Sequence, residues 1–453
     1  MGPLRIGELN YRSKFRNGRI GILAERNFRR FYVGYSASLL GTAMSSVAIA
    51  FAVLGGDGTA TGLGVVFAAN IVPMVAFMLG GGAIADRLGR RPVMLGADLA
   101  RCAAQGMLAV ALSLGQPRIW LFVAAAFVVG TGNAFFQPAL AGLPVQLAPR
   151  DRLGDANALL AVVQPAAQVA GPALAGVLIA AASPAVVIAA DAVSYAVSAV
   201  ALFSLRFPAT KAEPPARRGS LARDLADGWA EFSARTWIWA STLQWALFNL
   251  VTWGPYLVLG PVLARDYLGG ARAWGTILAC YGGGAVLGGL LTLGRHPRRP
   301  LLVANLAMLG FTLPPLTLAL HLPVAAVIAG ALLAGLGSAV GSALWTTVQQ
   351  QRVPPAVLSR VGAFSTVGAF AFGPAAFVLA GPAAAVFGAG TVLGFGAAWA
   401  AFVTVALFAV PSVRQMTWAT GLPPGASAAP AIAQSQQERA PVAPSRDNQT
   451  PTA

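Results

Sequence analysis

The chain has 453 residues, 57% hydrophobic and only 10% charged, where a soluble domain carries about 25% charged residues. This excludes an ordinary soluble enzyme or binding module and requires a polytopic membrane protein, whose 52 glycines let helix backbones approach closely. The net charge of +16 could suggest nucleic acid, but 27 of the 31 Lys and Arg fall in segments assigned to one face, a topology signal that calls for no nucleic-acid partner.

Residues 1–30 hold eight Lys or Arg and two Glu. They read as a basic cytoplasmic tail without the short apolar core and cleavage site of a signal peptide. Apolar runs long enough to cross a bilayer as helices follow at 31–54, 60–81, 93–114, 119–143, 156–182 and 184–205, and make a first six-helix bundle over 31–205. Residues 206–235 are a cytoplasmic linker. Its stretch 211–219 is charged, proline-rich and flexible. From Ser220 onward, Leu221, Leu225, Trp229 and Phe232 share one face of an amphipathic helix, read as a strap between two halves. Six more runs, at 237–262, 273–294, 301–320, 323–347, 360–381 and 384–410, make a second bundle over 236–411. Residues 412–453 are rich in Ala, Pro, Gln and Ser and are expected to be a disordered cytoplasmic tail. Cys102 and Cys280 lie in apolar spans and read as small buried hydrophobes, with no metal site or disulfide.

The two bundles repeat. At a shift of 205 residues, 13 of 47 positions are identical between 130–176 and 335–381, among them Gly130/Gly335, Pro149/Pro354 and Leu174-Ala175-Gly176/Leu379-Ala380-Gly381. The same shift lays Leu88-Gly89-Arg90-x-Pro92 over Leu293-Gly294-Arg295-x-Pro297. The expected fold is therefore all-α and integral to the membrane, with twelve transmembrane helices in two parallel six-helix repeats.

Between spans 2 and 3 the sequence predicts a charged loop, 82–92, read Gly-Ala-Ile-Ala-Asp-Arg-Leu-Gly-Arg-Arg-Pro. Its arginines place it at the cytoplasmic face. Asp86 is one acid among three bases, and Leu291 stands at the repeat-related position. Two readings stand: the arginines only fix topology, or Asp86 and its neighbours latch one state of a bundle. The pattern G-x-(L/I)-A-D-R-x-G-R-(R/K) is filled throughout and resembles the signature of the major facilitator superfamily, from about residue 25 to 411. The resemblance implies the major facilitator fold and a gating role for Gly82, Asp86, Arg87, Gly89, Arg90 and Arg91. Gln137-Pro138-Ala139, Pro149-Arg150-Asp151-Arg152-Leu153 and Gly171-Pro172-Ala173-Leu174-Ala175-Gly176 resemble a bacterial exporter branch that includes enterobactin-type siderophore exporters and macrolide efflux proteins. Gly171, Pro172 and Gly176 resemble the antiporter motif G-P-x-x-G with its last glycine one residue late. Physically, they open a backbone bond and allow close packing or bending.

Ionisable groups inside spans are costly and mark function. Asp98 and Arg101, one turn apart in span 3, either pair structurally or carry protons. Asp191 in span 6 either faces a cavity and accepts protons, or sits near the outer end as a solvated acid. Gln164 and Gln168, one turn apart in span 5, line a cavity or bond between helices. Asn133 and Gln137 in span 4, Trp245, Asn249 and Trp253 in span 7, and Trp345 in span 10 fall on spans that surround the central cavity of the resembled family. They suit a bulky, amphipathic, weakly polar substrate, although tryptophans also serve interfacial belts.

The reading is a secondary transporter, not an enzyme, that exports drugs or siderophores by alternating access on the proton gradient. It is a monomer in the cell's inner membrane with both termini cytoplasmic, and needs no cofactor. The alternatives are a nutrient-uptake symporter and, remotely, a membrane transferase. His296 and His321, the two histidines, fall on opposite sides and offer a transferase no common site.

Overall fold

In the computed structural model, the described residues are 21–56, 58–141, 143–149, 152–205 and 221–418. Among them there are no strands, and twelve helices are long and apolar enough to cross a membrane. Spans 1 to 6 are Arg26–Leu54, Ala60–Leu88, Arg90–Leu114, Ile119–Ala141, Leu153–Ala181 and Pro184–Phe203. Span 7 runs from Thr236 to Leu268, span 8 is Ala271–Thr292, span 9 Pro300–Ala319, span 10 Val324–Arg352, and span 12 Ala389–Ala409. Span 11 is made of two helices, Pro355–Phe370 and Gly373–Phe387. The 205-residue shift holds at helix starts: Ile119 and Pro184 open spans 4 and 6, and Val324 and Ala389 open spans 10 and 12.

The 82–92 loop is a correction. The span 2 helix continues through Leu88 and span 3 begins at Arg90. Gly89 alone makes the turn, at φ +89°, and its repeat partner Gly294 stands at φ +69°, a backbone region that glycine enters without steric cost. The Ala, Ile, Arg and Leu before Gly89 are adequate helix formers, so nothing ends the helix sooner. Parts of both expected tails, residues 21–30 and 412–418, belong to the folded body. Ile22 and Phe28 are fully buried. At the other end, Trp418 donates its indole N–H to the Pro297 carbonyl at 2.9 Å, and Arg352 donates to the Thr417 carbonyl at 2.6 Å.

The helices of the two halves differ in continuity. Spans 1, 3 and 5 are uninterrupted. Their repeat partners are broken near mid-span: span 7 by a π segment at Asn249–Trp253, span 9 by a 3-10 turn at Leu309–Thr312, and span 11 at Ala371 and Phe372. Each break runs up to a proline at the start of the next helix: Pro255, the pair Pro314-Pro315, and Pro374. Proline withholds the N–H that would continue the ladder and crowds the preceding turn. The positions 205 residues earlier are Ala50, Ala109-Val110 and Val169.

Core packing shows where the halves meet. One buried cluster joins them, with Val53, Leu63, Leu108 and Val187 from the first and Leu259, Trp274, Leu318 and Phe377 from the second. Toward the face that carries the basic connections the core divides. One cluster there, around Phe31, Met94 and Leu202, belongs to the first half. Another, around Trp237, Leu301 and Val413, belongs to the second. The halves are thus fused at the face opposite the basic one. The connecting helix Leu221–Ser233 rests on the second half, with Trp229 and Phe232 against Phe364 at ring separations of 5.7 and 6.1 Å.

Candidate functional site: a charged network beside a cavity between the halves

A cavity of about 250 Å³ lies at the junction of the halves. Thr42, Ser45, Asn70, Gln105, Asn133, Asp191 and Tyr195 of the first half form its polar wall, and Leu257, Pro261, Trp274, Leu278 and Phe377 of the second half cap it. The cap belongs to the shared core, so the cavity is closed toward the opposite face.

Spans 3 and 6 carry the charges behind that wall. Asp98, Arg101 and Gln105 recur at three and four residues, which puts them on one face of span 3. Arg101 pairs with Asp98 and donates to Asn133 Oδ1 at 2.7 Å. Its guanidinium lies 4.5 Å from the ring centroids of both Phe136 and Tyr195, a desolvated cation–π arrangement worth about 2 kcal/mol per ring. Asp98 is 0% and Arg101 3% exposed. A buried charge is tolerable in this way only when it is paired and bonded. Tyr195 in turn shares a 2.9 Å hydrogen bond with Thr42 of span 1.

Asp191 is also 0% exposed, but it stands in the cavity wall and, among the described residues, forms no ion pair of its own. Gln105 Nε2 donates to Asp191 Oδ2 and to Ser45 Oγ, both at 2.9 Å. Ser194 Oγ donates to the Asp191 carbonyl at 2.7 Å. Room for the carboxyl comes from Gly41, where an added methyl would lie 2.7 Å from Asp191 Oδ1. Gly132 likewise makes room for the Arg101 stem, 2.7 Å from such a methyl. The two acids therefore have different work open to them. Asp98 is held by Arg101, whereas among the described residues the Asp191 carboxyl is bonded only by neutral groups that can release it.

Of the residues picked from sequence, Asp191 and Asn133 line this cavity, and the Asp98–Arg101 pair supports its wall. Trp245, Asn249 and Trp345 line a second cavity of about 490 Å³ within the second half. Asn249 also donates to the Ala369 carbonyl at 3.0 Å, the backbone group that the break in span 11 leaves without its helical donor. Gln137, Gln164, Gln168 and Trp253 line neither cavity. The three glutamines are exposed, and Trp253 packs in an aromatic cluster with Phe248, Tyr256, Tyr281 and Phe311. Gly171 seats against Ala43 of span 1, Pro172 lies in an uninterrupted helix, and Gly176 seats on Ala271 of span 8. These residues pack span 5 and do not break it. Arg91 donates to the Leu202 and Phe203 carbonyls at 2.9 and 2.5 Å and so caps span 6 of its own half. Gly89 makes the turn and Arg90 opens span 3, while the surroundings of Gly82, Asp86 and Arg87 lie outside the described residues.

Sequence reasoning missed Gln105, Tyr195, Ser45 and the two space-making glycines. The signal for the first two was present: Gln105 follows Arg101, and Tyr195 follows Asp191, by one helical turn.

The seam between the halves is built from backbone. A methyl at Gly64 would sit 2.0 Å from the Phe377 carbonyl oxygen, one at Gly275 2.3 Å from that of Pro172, and one at Gly381 2.3 Å from the Thr61 nitrogen. Gly176 and Gly381, which are repeat-related, each seat on the opposite-face end of a helix of the other half. At the rim, Arg265 donates to the Leu54 carbonyl at 2.9 Å, tying span 7 to the end of span 1.

Residues 31–376 match the family model of the Major Facilitator Superfamily. Macrolide efflux protein A of Streptococcus pyogenes is 26% identical over 349 residues, 75% of this chain and 84% of the relative. The multidrug efflux pump Tap of Mycobacterium tuberculosis is 27% identical over 353 residues, 76% and 83% of the two chains. Among solved structures, the nucleoside transporter NupG superposes with a TM-score of 0.68 at 12% identity, over 85% of this chain and 98% of that one.

Proposed function

The chain belongs to the Major Facilitator Superfamily and is a membrane transporter, not an enzyme; from that premise we propose that it exports amphipathic small molecules of the drug class in exchange for protons. The relatives named for macrolide and multidrug efflux support the export direction and the drug class over siderophores or nutrient uptake. The basic face is assigned to the cytoplasm by the positive-inside tendency, and the proposal takes both termini to lie on that side and the protein to act as a monomer in the cell's inner membrane. The seam then closes the outer side, and the state described receives cargo from within.

The observation that carries the coupling is the position of Asp191: an acid in the wall of the cavity between the halves, its carboxyl bonded, among the described residues, only by neutral groups. In the proposed cycle, cargo entering from the cytoplasm displaces a proton from Asp191. The halves then rock, the seam parts, cargo leaves outward, and an external proton returns to the carboxyl. Asp98 and Arg101 act as a structural pair in this cycle. They hold spans 3 and 4 together and fix the wall that carries Gln105.

The test is proton movement in proteoliposomes under an imposed pH gradient, with lipophilic cations, macrolides and siderophores added in turn. Cargo-triggered proton flux that is present in the wild type, lost in Asp191→Asn and retained when Asp98→Asn is combined with Arg101→Met supports the proposal. Transport with no dependence on the gradient overturns it in favour of facilitated diffusion.

A further inference from the structure

Gln105 holds Asp191 in place with only half of its amide. Nε2 donates to Asp191 Oδ2 of span 6 and to Ser45 Oγ of span 1, both at 2.9 Å. The other end, Oε1, is buried and, among the described residues, accepts no hydrogen bond. This arrangement fits one protonation state of the acid. A carboxylate accepts and cannot donate, so it requires the N–H end of the amide. A neutral carboxyl with its proton on Oδ2 would face that N–H donor to donor. With its proton on Oδ1 it would meet Ser194 Oγ at 3.4 Å, long for an O–H···O bond.

One rotation resolves the conflict. The two ends of an amide are nearly alike in size, so a half-turn about the last side-chain bond exchanges them in place. Oε1 then accepts from the neutral carboxyl of Asp191, and the Ser45 hydroxyl, formerly the acceptor, turns its own O–H to the same oxygen. In either orientation one end of the amide bridges spans 1, 3 and 6 and the other is bare, so the proton on Asp191 decides between them. The ionisable groups around the acid are otherwise engaged or fixed in sense. On span 3, Arg101 only donates and is bonded to Asp98 and Asn133, and Cys102 lies in the field of both acids. On span 6, Tyr195 is bonded to Thr42. Span 1 offers hydroxyls alone, spans 2 and 4 the amides of Asn70 and Asn133, and the cap from the second half no ionisable group.

We propose that Gln105 is a positioning residue for proton exchange: its amide turns over as Asp191 gains or loses its proton, so the bridge between spans 1, 3 and 6 survives both steps. A fixed donor would lose its bond to Asp191 at every protonation. The proposal deepens the exchange reading and rests on Asp191 as the exchanging acid.

The experiment is infrared difference spectroscopy between alkaline and acid pH. The full-length protein is held in lipid nanodiscs, with its glutamines isotopically labelled at the side-chain carbonyl carbon. On acidification the wild type is expected to show a carboxylic acid band appear while a labelled carbonyl stretch moves to lower frequency, as a bare oxygen gains donors. Asp191→Asn should abolish both changes. Gln105→Met, close in volume, should abolish the labelled change and keep the acid band; if that variant does not fold, the wild type and Asp191→Asn decide the matter alone. An acid band that appears while the labelled carbonyl stays still would overturn the proposal, and its displacement in Ser194→Ala or Ser45→Ala would assign the proton to a serine instead. Absence of any acid band removed by Asp191→Asn would overturn it too. Proton flux triggered by tetraphenylphosphonium in proteoliposomes tests the exchange reading separately, and Gln105→Met is expected to slow it about tenfold, the yield of one well-made hydrogen bond. Paired infrared changes without flux sink exchange and leave the switch standing; flux that needs Asp191 without the labelled change does the reverse.

Discussion

The first half of the molecule has continuous odd-numbered spans around buried charges; the second has interrupted ones around a cavity whose described lining is uncharged. Spans 1, 3 and 5 run uninterrupted and enclose Asp98, Arg101 and Asp191, while spans 7, 9 and 11 are each interrupted near mid-span around a cavity whose described lining is uncharged. One repeated plan thus has two different interiors. A buried ion network needs rigid supports, because its geometry must offset the desolvation of each charge. The proline-led breaks of the second half fall where its spans line the larger cavity.

The contrast can be broken first at Asp191. Replacing it with Asn should eliminate gradient-driven transport while cargo still equilibrates without a gradient, as measured by tracer efflux from proteoliposomes. If coupling survives, the charged half is not the coupling half. Next comes the rigidity of that half. Arg101→Met strands Asp98 and should cost about 3–5 kcal/mol, read as a large fall in unfolding temperature; Arg101→Met with Asp98→Asn should recover most of it. At the seam, Gly64→Val forces a side chain against the Phe377 carbonyl at a cost of about 1–3 kcal/mol to the closed outer side. Spin labels across the outer ends of spans 2 and 11 should then report longer distances. In the neutral half, Asn249→Leu deprives the Ala369 carbonyl of its donor and should cost about 1–2 kcal/mol, with faster amide exchange confined to span 11. Smallest is Arg265→Ala. That side chain is 42% exposed, so loss of its bond to Leu54 should weaken outer closure by only about 0.5 kcal/mol, roughly a twofold change in the spin-label populations.

Fold and repeat were legible because apolar length and a constant 205-residue shift are properties of sequence alone. The shift even located the glycine turn, since Gly89 and Gly294 share a positive φ. The breaks were harder to read, although Gly254-Pro255, Pro314-Pro315 and Gly373-Pro374 were in view. Gly171-Pro172 explains why: the same dipeptide lies inside a continuous helix, where Gly171 is wedged against Ala43 of span 1. Neighbouring helices, not the dipeptide, decide whether a proline interrupts. For the site, the acids stood out by their rarity among apolar residues. Whether Asp191 faced a cavity depended on span rotation, which packing sets. The glutamines of spans 4 and 5 line neither cavity, because polarity marks a residue without saying which neighbour it faces.

The glycine seam inverts the meaning of an alanine scan. At most positions alanine deletes a side chain and reports what that side chain did. At Gly64, Gly275 and Gly381 alanine instead inserts the first side-chain atom into space held by the backbone of the other half. These positions should score as intolerant in a protein that still inserts and folds, although no functional group was removed. A mutational map of this transporter would therefore show a line of sensitive sites that carry no side chain, and it would trace the surface along which the two halves part.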